Sequence, residues 1–155
     1  AGGLGVGYTS GNGIVPLLIP GNPATCTDMG CSAGIVLKIE SGFSGTHDLG
    51  NGKTITITET GGNTIAWTSN EDINCIFMKG GNGGDSYCYN PPVRSDSGLS
   101  TPVDTTNNEP KGISHISICH TPGVTVPEFP SAFLPVTMVI GLLGTVFYIQ
   151  RTREH

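Results

Sequence analysis

An uncharged apolar run from residue 132 to residue 149 is the feature that most constrains this chain. In a helix these residues rise about 27 Å, close to the hydrocarbon thickness of a bilayer. A helix buried in a globular core is normally amphipathic, whereas this run is apolar on every face. Arg151 and Arg153 follow directly, and the positive-inside rule then places the C-terminus in the cytoplasm. We therefore predict one membrane span at 132–150 with residues 1–130 outside. An apolar helix in the core of a filament is the alternative.

A short motif precedes the apolar run, and its residues are Pro127, Glu128, Phe129 and Pro130. Together with the single apolar segment and the basic end, it resembles the PEF-type C-terminal sorting signals of archaeal surface proteins, those of methanogens in particular. The resemblance covers only residues 127–155. It implies that an archaeosortase recognises these four residues, cuts near them and transfers the protein to a lipid. They would be recognition residues and not catalytic ones.

The start of the chain agrees with export. The sequence begins at Ala1 without a Met, and a domain outside the membrane needs an export signal. We therefore expect that a leader precedes Ala1 and is removed. The prediction is a single-pass, membrane-anchored cell-surface protein with its N-terminus outside.

The rest of the chain alternates apolar and polar residues, as half-buried strands do. Residues 35–40 and 54–58 show this alternation, and the second stretch is rich in β-branched residues. Four further runs have the same character, at 63–68, 73–79, 85–89 and 113–119. The composition of 24 glycines, 11 prolines and 12% charged residues also argues against a helical domain. We predict an all-β ectodomain, an antiparallel β-sandwich, followed by the C-terminal transmembrane helix.

Turn residues separate these runs. Asn51-Gly52 and Gly61-Gly62-Asn63 are hairpin signals, and Pro16 confines the apolar run around it to a sheet edge. Prolines interrupt 90–112, which predicts a long crossover loop. The predicted organisation is a Gly-rich N-terminal arm (1–24), a β-sandwich domain (25–120), a linker with the Pro-Glu-Phe-Pro motif (121–131), the transmembrane helix (132–150) and a basic cytoplasmic tail (151–155).

The ectodomain carries a second resemblance. Four short motifs occur in order: Lys79-Gly80-Gly81, Tyr87-x-Tyr89, Ser95-Asp96-Ser97-Gly98-Leu99 and Ser114-His115-Ile116-Ser117-Ile118-Cys119. Over residues 25–120 this order resembles a secreted β-domain of bacterial and archaeal surface proteins. Its typical run is Lys-Gly-Gly, a Tyr strand, a Ser-Asp-x-Gly-Leu loop and a closing Ser-His-Ile-x-x-Cys strand. The resemblance implies an exported β fold and no particular reaction.

Five cysteines lie in the predicted ectodomain, where disulfides can form. Cys75 and Cys88 lie on runs that a hairpin through the glycine loop places side by side, so we predict that they pair. The second resemblance implies a bridge between Cys26 and Cys119, which closes a loop of about 94 residues and contributes about 4–5 kcal/mol in the chain-entropy model. Cys31 is then free. The alternative is a Cys26–Cys31 bridge with Cys119 unpaired, because sequence alone does not determine connectivity.

Candidate metal ligands are few. No Cys-x-x-Cys pair occurs, and on a strand His115 and Cys119 lie about 13 Å apart, too far for one zinc ion. Calcium suits the loop acids better because carboxylates and carbonyls bind hard cations, and Asp85 and Asp96 are the candidates. No Asp-x-Asp-x-Asp array accompanies them, so we expect solvated acids at these positions and no cofactor, with calcium as the alternative.

Several functional classes are disfavoured. The chain lacks Gly-x-Ser-x-Gly, Gly-x-x-x-x-Gly-Lys and His-Glu-x-x-His motifs, so we do not expect an enzyme. Residues 1–130 carry eleven acidic and five basic residues without a basic run, which disfavours nucleic acid. Trp67, Tyr87 and Tyr89 are candidates for a sugar-binding platform, although a lone Trp in a strand is usually core.

Two functions remain. The first is a membrane-anchored structural protein of the cell surface, in the envelope, in adhesion or as a filament subunit, with homo-oligomer contacts through the N-terminal arm or a sheet edge. The second is an extracellular module that binds sugar or calcium through loops 80–112. We favour the first, because Gly-rich ends suit packing or tethering and the sequence shows no convergent polar site.

Overall fold

The computed structural model describes residues 3–122, so the predicted sorting motif and membrane span lie outside the described residues. Within residues 3–122 there is no helix with the length and apolar character of a membrane span. The chain there forms strands joined by turns. The strands are β1 (Leu4–Gly5), β2 (Leu17–Pro20), β3 (Ile35–Ile39), β4 (Gly45–Gly50), β5 (Lys53–Gly61), β6 (Thr64–Gly80), β7 (Gly83–Ser100), β8 (Val103–Asp104), β9 (Glu109–Pro110) and β10 (His115–His120).

All strand pairs are antiparallel, which confirms the predicted all-β antiparallel class. The larger sheet has the order β2-β7-β6-β10-β3, and β4 and β5 extend it along the first half of β6. A smaller sheet has the order β1-β8-β9. The predicted hairpin signals lie at tight turns of the larger sheet, between β4 and β5 and between β5 and β6, where Asn51 and Asn63 have φ of 53° and 60°.

The hairpin of β6 and β7 organises the larger sheet. The first half of β6 pairs with β5, and the second half, from residue 73, pairs with β10. The register against β7 shifts between Thr68 and Ile73, and such irregularities bend strands. The two halves of the hairpin therefore belong to two differently paired parts of one sheet.

The predicted crossover loop at 90–112 is wrong for its first part, because β7 continues to Ser100. Pro91 and Pro92 lie in the stretch between Cys88 and Val93, where β7 has no partner residue on β6. A proline has no N–H to donate to a ladder, so an unpaired stretch accommodates it. The prolines mark an irregularity in a long strand and not the end of that strand.

The main core takes side chains from both parts of the sheet. Alternation along β6 directs Ile76 and Met78 to this core, while Cys75 and Phe77 point to the opposite face. The buried members of the main core are Ile39, Ile55, Ile57, Ile65, Trp67, Ile73, Ile76, Met78, Tyr87, Tyr89, Leu99, Ile116 and Ile118.

A second, smaller core lies on the opposite face and consists of Cys26, Met29, Cys75, Phe77 and Cys119. Its cover is the turn segment 25–31, in which the amide of Met29 donates to the carbonyl of Thr25 and that of Cys31 to the carbonyl of Cys26. Met29 is fully buried beneath this segment. The sheet half formed by β2, β7, β6, β10 and β3 is therefore covered on both faces.

The N-terminal arm takes part in both sheets. Its strand β1 pairs with β8, and β2 forms an edge of the larger sheet, as Pro16 predicts. Between them the amide of Tyr8 donates to Ser100 Oγ at 2.8 Å, and the amide of Asn12 donates to Asp96 Oδ1 at 2.9 Å. The arm also carries most of the exposed large apolar side chains of residues 3–122: Val6, Tyr8, Val15 and Leu17.

Candidate functional site

Three cysteines lie in a row on the face with the smaller core. Cys75 on β6 is in register with Cys119 on β10 and with Cys88 on β7. Two more cysteines come from the covering segment, and disulfides join Cys26 to Cys119 and Cys31 to Cys88. One end of the segment is thus attached to β10 and the other to β7, the two strands that flank β6. Cys75, between them, is a buried free thiol.

This connectivity corrects one predicted pair. The Cys26–Cys119 bridge implied by the second resemblance is present, whereas Cys88 bonds to Cys31 and not to Cys75. Cys75 and Cys88 do lie opposite each other, as the hairpin predicts. The sequence did not reveal that the turn segment folds back over the sheet and brings Cys31 to the same place.

Ser86 stands among these sulfurs. Its Oγ donates to the carbonyl of Met29 at 2.6 Å, and it lies 3.2 Å from Cys75 Sγ and 3.3 Å from Cys31 Sγ.

The sulfurs of Cys31, Cys75 and Cys88 all lie within 4.8 Å of one another, the one such cluster of metal-ligating side chains within residues 3–122. Because two of them share a disulfide, the cluster holds a single thiol. Burial raises the pKa of the Cys75 thiol to about 12, against the lowering effect of the Ser86 hydrogen bond.

Asp85, one of the two calcium candidates, lies on β7 and is fully buried. The backbone amide of Gly7 faces it, but neither carboxyl oxygen has a partner that meets hydrogen-bond geometry. Burial raises the pKa of Asp85 to about 7, and the Gly7 amide opposes that rise. The group is a desolvated carboxyl enclosed by the N-terminal arm.

Asp96, the other calcium candidate, has a full set of partners. Its Oδ1 accepts from the amides of Asn12 and Ser97 at 2.9 and 2.7 Å, and its Oδ2 accepts from the Tyr89 hydroxyl at 2.8 Å. Asp85 and Asp96 both lie within strand β7, so neither belongs to the open loop from which calcium binding was predicted. A calcium ion would compete with the donors that already occupy Asp96.

The three aromatic candidates for a sugar platform belong to the main core. Trp67, Tyr87 and Tyr89 are all buried. Trp67 Nε1 donates to the Tyr89 hydroxyl at 3.4 Å, and the Tyr87 hydroxyl donates to the carbonyl of Tyr8 at 2.6 Å. Burial raises the pKa of Tyr87 to about 12 and raises that of Tyr89 further. These hydroxyls connect the core to the arm and to Asp96.

The two histidines of β10, His115 and His120, are buried among other side chains of the domain. His115 is buried next to Phe77, with ring centroids 6.2 Å apart, and burial lowers its pKa, as do Lys38 and Lys79. His120 Nδ1 lies 2.8 Å from Glu71 Oε2, and both side chains are almost fully buried, although the pair does not meet hydrogen-bond geometry. No sequence pattern had paired these two residues.

A hydroxyl-lined groove crosses the exposed face of β5, β6 and β7, with a volume of about 320 Å³. Thr56, Thr68 and Ser95 lie in register on adjacent strands and line it together with Asn12. All three hydroxyl residues are exposed. The Thr-x-Thr alternation of β5 is the sequence signal for this surface, because it predicts a strand with hydroxyl side chains along one face.

No protein family, curated protein or solved structure matches this chain. Within residues 3–122 the features that bear on function are a covering segment held by two disulfides, a buried thiol beside one of them, and a groove lined mostly by hydroxyl side chains.

Proposed function

We propose that this chain is a membrane-anchored structural protein of the cell surface, with a β-sandwich ectodomain held at the membrane by residues 132–150. The observation that carries the proposal is the pair of disulfides at Cys26–Cys119 and Cys31–Cys88. Disulfides persist in compartments outside the reducing cytosol, and small exported domains use them to supplement a modest core. An exported domain followed by an uncharged 18-residue run and two arginines fits a single-pass anchor.

The surroundings of the polar residues favour a structural role over catalysis. Asp96 is occupied by three donors, and Tyr87 bonds to the backbone of the arm. His120 and Glu71 face each other away from solvent. These groups are buried, and they hold strands and arm together.

The arm supports self-association as the way in which the protein acts. Val6, Tyr8, Val15 and Leu17 remain exposed although they are large and apolar. Contiguous exposed apolar patches mark interaction surfaces, and these four side chains are the candidates for such a patch on the arm. A homo-oligomer in an envelope or filament would cover them.

The test is to isolate the full chain from native membranes and measure its intact mass and its partition. A full-length mass that needs detergent for extraction supports a retained helix, and a mass ending near Pro130 plus a lipid supports sorting by an archaeosortase. If the full-length chain is soluble without detergent and carries no lipid, the membrane proposal is wrong.

A second function, binding of a neutral sugar, is favoured by the hydroxyl-lined groove. Hydroxyl and amide side chains along an open groove suit a polyhydroxylated ligand. We expect Thr56→Lys and Thr68→Lys to reduce retention on an immobilised neutral polysaccharide, while Ser32→Lys, at an exposed position of another segment, leaves retention unchanged. Equal retention of all three variants and the wild type would exclude this groove.

A further inference from the structure

The disulfide Cys31–Cys88 has a third sulfur beside it. Cys75 lies opposite Cys88 in the β6–β7 ladder, and the three Sγ atoms lie within 4.8 Å of one another. Directly opposed residues of an antiparallel pair have Cα atoms about 4.5–5.5 Å apart, which is within the range that a disulfide spans. Cys88 therefore has two cysteines within bonding reach, one on the neighbouring strand and one on the covering segment.

We infer that Cys31 is a latent surface thiol, produced when Cys75 exchanges into the disulfide with Cys88. The Cys75 thiolate attacks Cys88 Sγ, the Cys75–Cys88 bond forms, and the Cys31–Cys88 bond breaks. The electron pair of the broken bond stays on Cys31 Sγ, which takes up a proton to replace the one that Cys75 released. One disulfide and one thiol are present before and after the exchange, so the step needs no oxidant or reductant.

The exchange changes where the free thiol is. Cys75 is fully buried beneath the covering segment, whereas Cys31 is half-buried on that segment. Cys26–Cys119 is untouched, so the segment stays attached to β10 while its other end is released from β7. The thiol that results can react with electrophiles or with a disulfide of another molecule, including a second copy of this chain.

Ser86 supports the step. Its hydroxyl lies within 3.6 Å of all three sulfurs, and by rotating away from the carbonyl of Met29 it can donate its one hydrogen bond to the sulfur that carries the charge. The attacking species is the thiolate, and burial keeps the Cys75 thiol protonated at neutral pH. The exchange is therefore slow at neutral pH. Its rate rises about tenfold with each unit of increasing pH until the pH reaches the pKa of Cys75.

The test treats the folded full chain, in mild detergent at pH 8.5, with N-ethylmaleimide. Acid quenching then stops exchange, and peptides are mapped by mass spectrometry without reduction. We expect the label on Cys31 together with a Cys75–Cys88 disulfide. Label on Cys75 with Cys31–Cys88 intact would overturn the inference, because opening of the fold would then have exposed Cys75 directly. Absence of label after long incubation would overturn it as well.

Two variants provide matched controls. Cys31→Ser, exposed to glutathione disulfide, is expected to form the Cys75–Cys88 disulfide and retain no free thiol. Cys75→Ser is expected to keep Cys31–Cys88 and take up no label. Two unreacted thiols in oxidised Cys31→Ser would show that Cys75 and Cys88 cannot bond, and the inference would fail.

Discussion

The carboxyl group of Asp85 lies directly against the backbone of Gly7: a Cβ atom added to Gly7 would lie 1.9 Å from Asp85 Oδ2. The same position would be 2.4 Å from Ser100 Oγ and 2.7 Å from the carbonyl oxygen of Thr101. A glycine is thus required for the arm to close over β7. This contact, between residues 78 positions apart, joins the N-terminal arm to the centre of the domain.

The stability of the domain is expected to fall as pH rises from about 4 to 7, because Asp85 has its pKa raised from 3.8 to about 7 in the folded state. The folded state binds a proton that the unfolded chain releases in this interval, so ionisation penalises folding. The loss approaches about 4 kcal/mol above pH 7. Asp85→Asn removes this dependence and is expected to be more stable than the wild type at pH 8. Urea unfolding at pH 4.5 and pH 8 measures both effects; parallel pH profiles of the two proteins would contradict the assignment.

Gly7→Ala is expected to destabilise the domain by about 1–3 kcal/mol, as overpacking of a closed contact does. The added methyl group has no space between Asp85, Ser100 and Thr101. Gly112→Ala is the matched control, because a Cβ there meets nothing within 4 Å. Chemical unfolding of both variants tests the contact, and equal stability of the two would show that the arm does not pack as described.

Removal of the Cys26–Cys119 bridge is expected to cost about 4–5 kcal/mol, since it closes a loop with a sequence separation of 93 residues. The double variant Cys26→Ala with Cys119→Ala tests this by guanidinium unfolding. Because Cys75 belongs to neither disulfide, Cys75→Ala serves as the comparison and is expected to lose far less. A similar loss in both proteins would assign the effect to core packing instead of the cross-link.

Tyr89→Phe is expected to destabilise the domain by about 1–3 kcal/mol, because the buried Asp96 carboxylate loses its hydroxyl donor. The same hydroxyl accepts from Trp67 Nε1, so the indole loses its partner too. Trp67 is the only tryptophan of the chain, and its fluorescence therefore reports the change. Tyr8→Phe, at an exposed residue, is the control expected to leave both stability and fluorescence unchanged.

Local patterns account for the parts of the fold that were predicted. Alternation at 54–58 and the Asn51-Gly52 and Gly62-Asn63 turns depend on neighbouring residues, and the structure has β5 bounded by these turns. Pro16 likewise predicted that β2 lies at a sheet edge, because a proline has no N–H to donate to a second neighbouring strand. The continuation of β7 through Pro91 and Pro92 was missed, since it depends on a mismatch in register with β6.

The sequence by itself determined the antiparallel all-β class and which residues of a strand share one face of the sheet. It did so because side-chain alternation is a property of the extended backbone. Only the tertiary structure decided that Cys88 bonds to Cys31 and that Asp85 is enclosed. Both outcomes depend on segments far along the chain, the turn at 25–31 and the arm at Gly7, folding back onto the sheet. Sequence periodicity predicts the face of the sheet on which a residue lies, but it does not predict which segment covers that face.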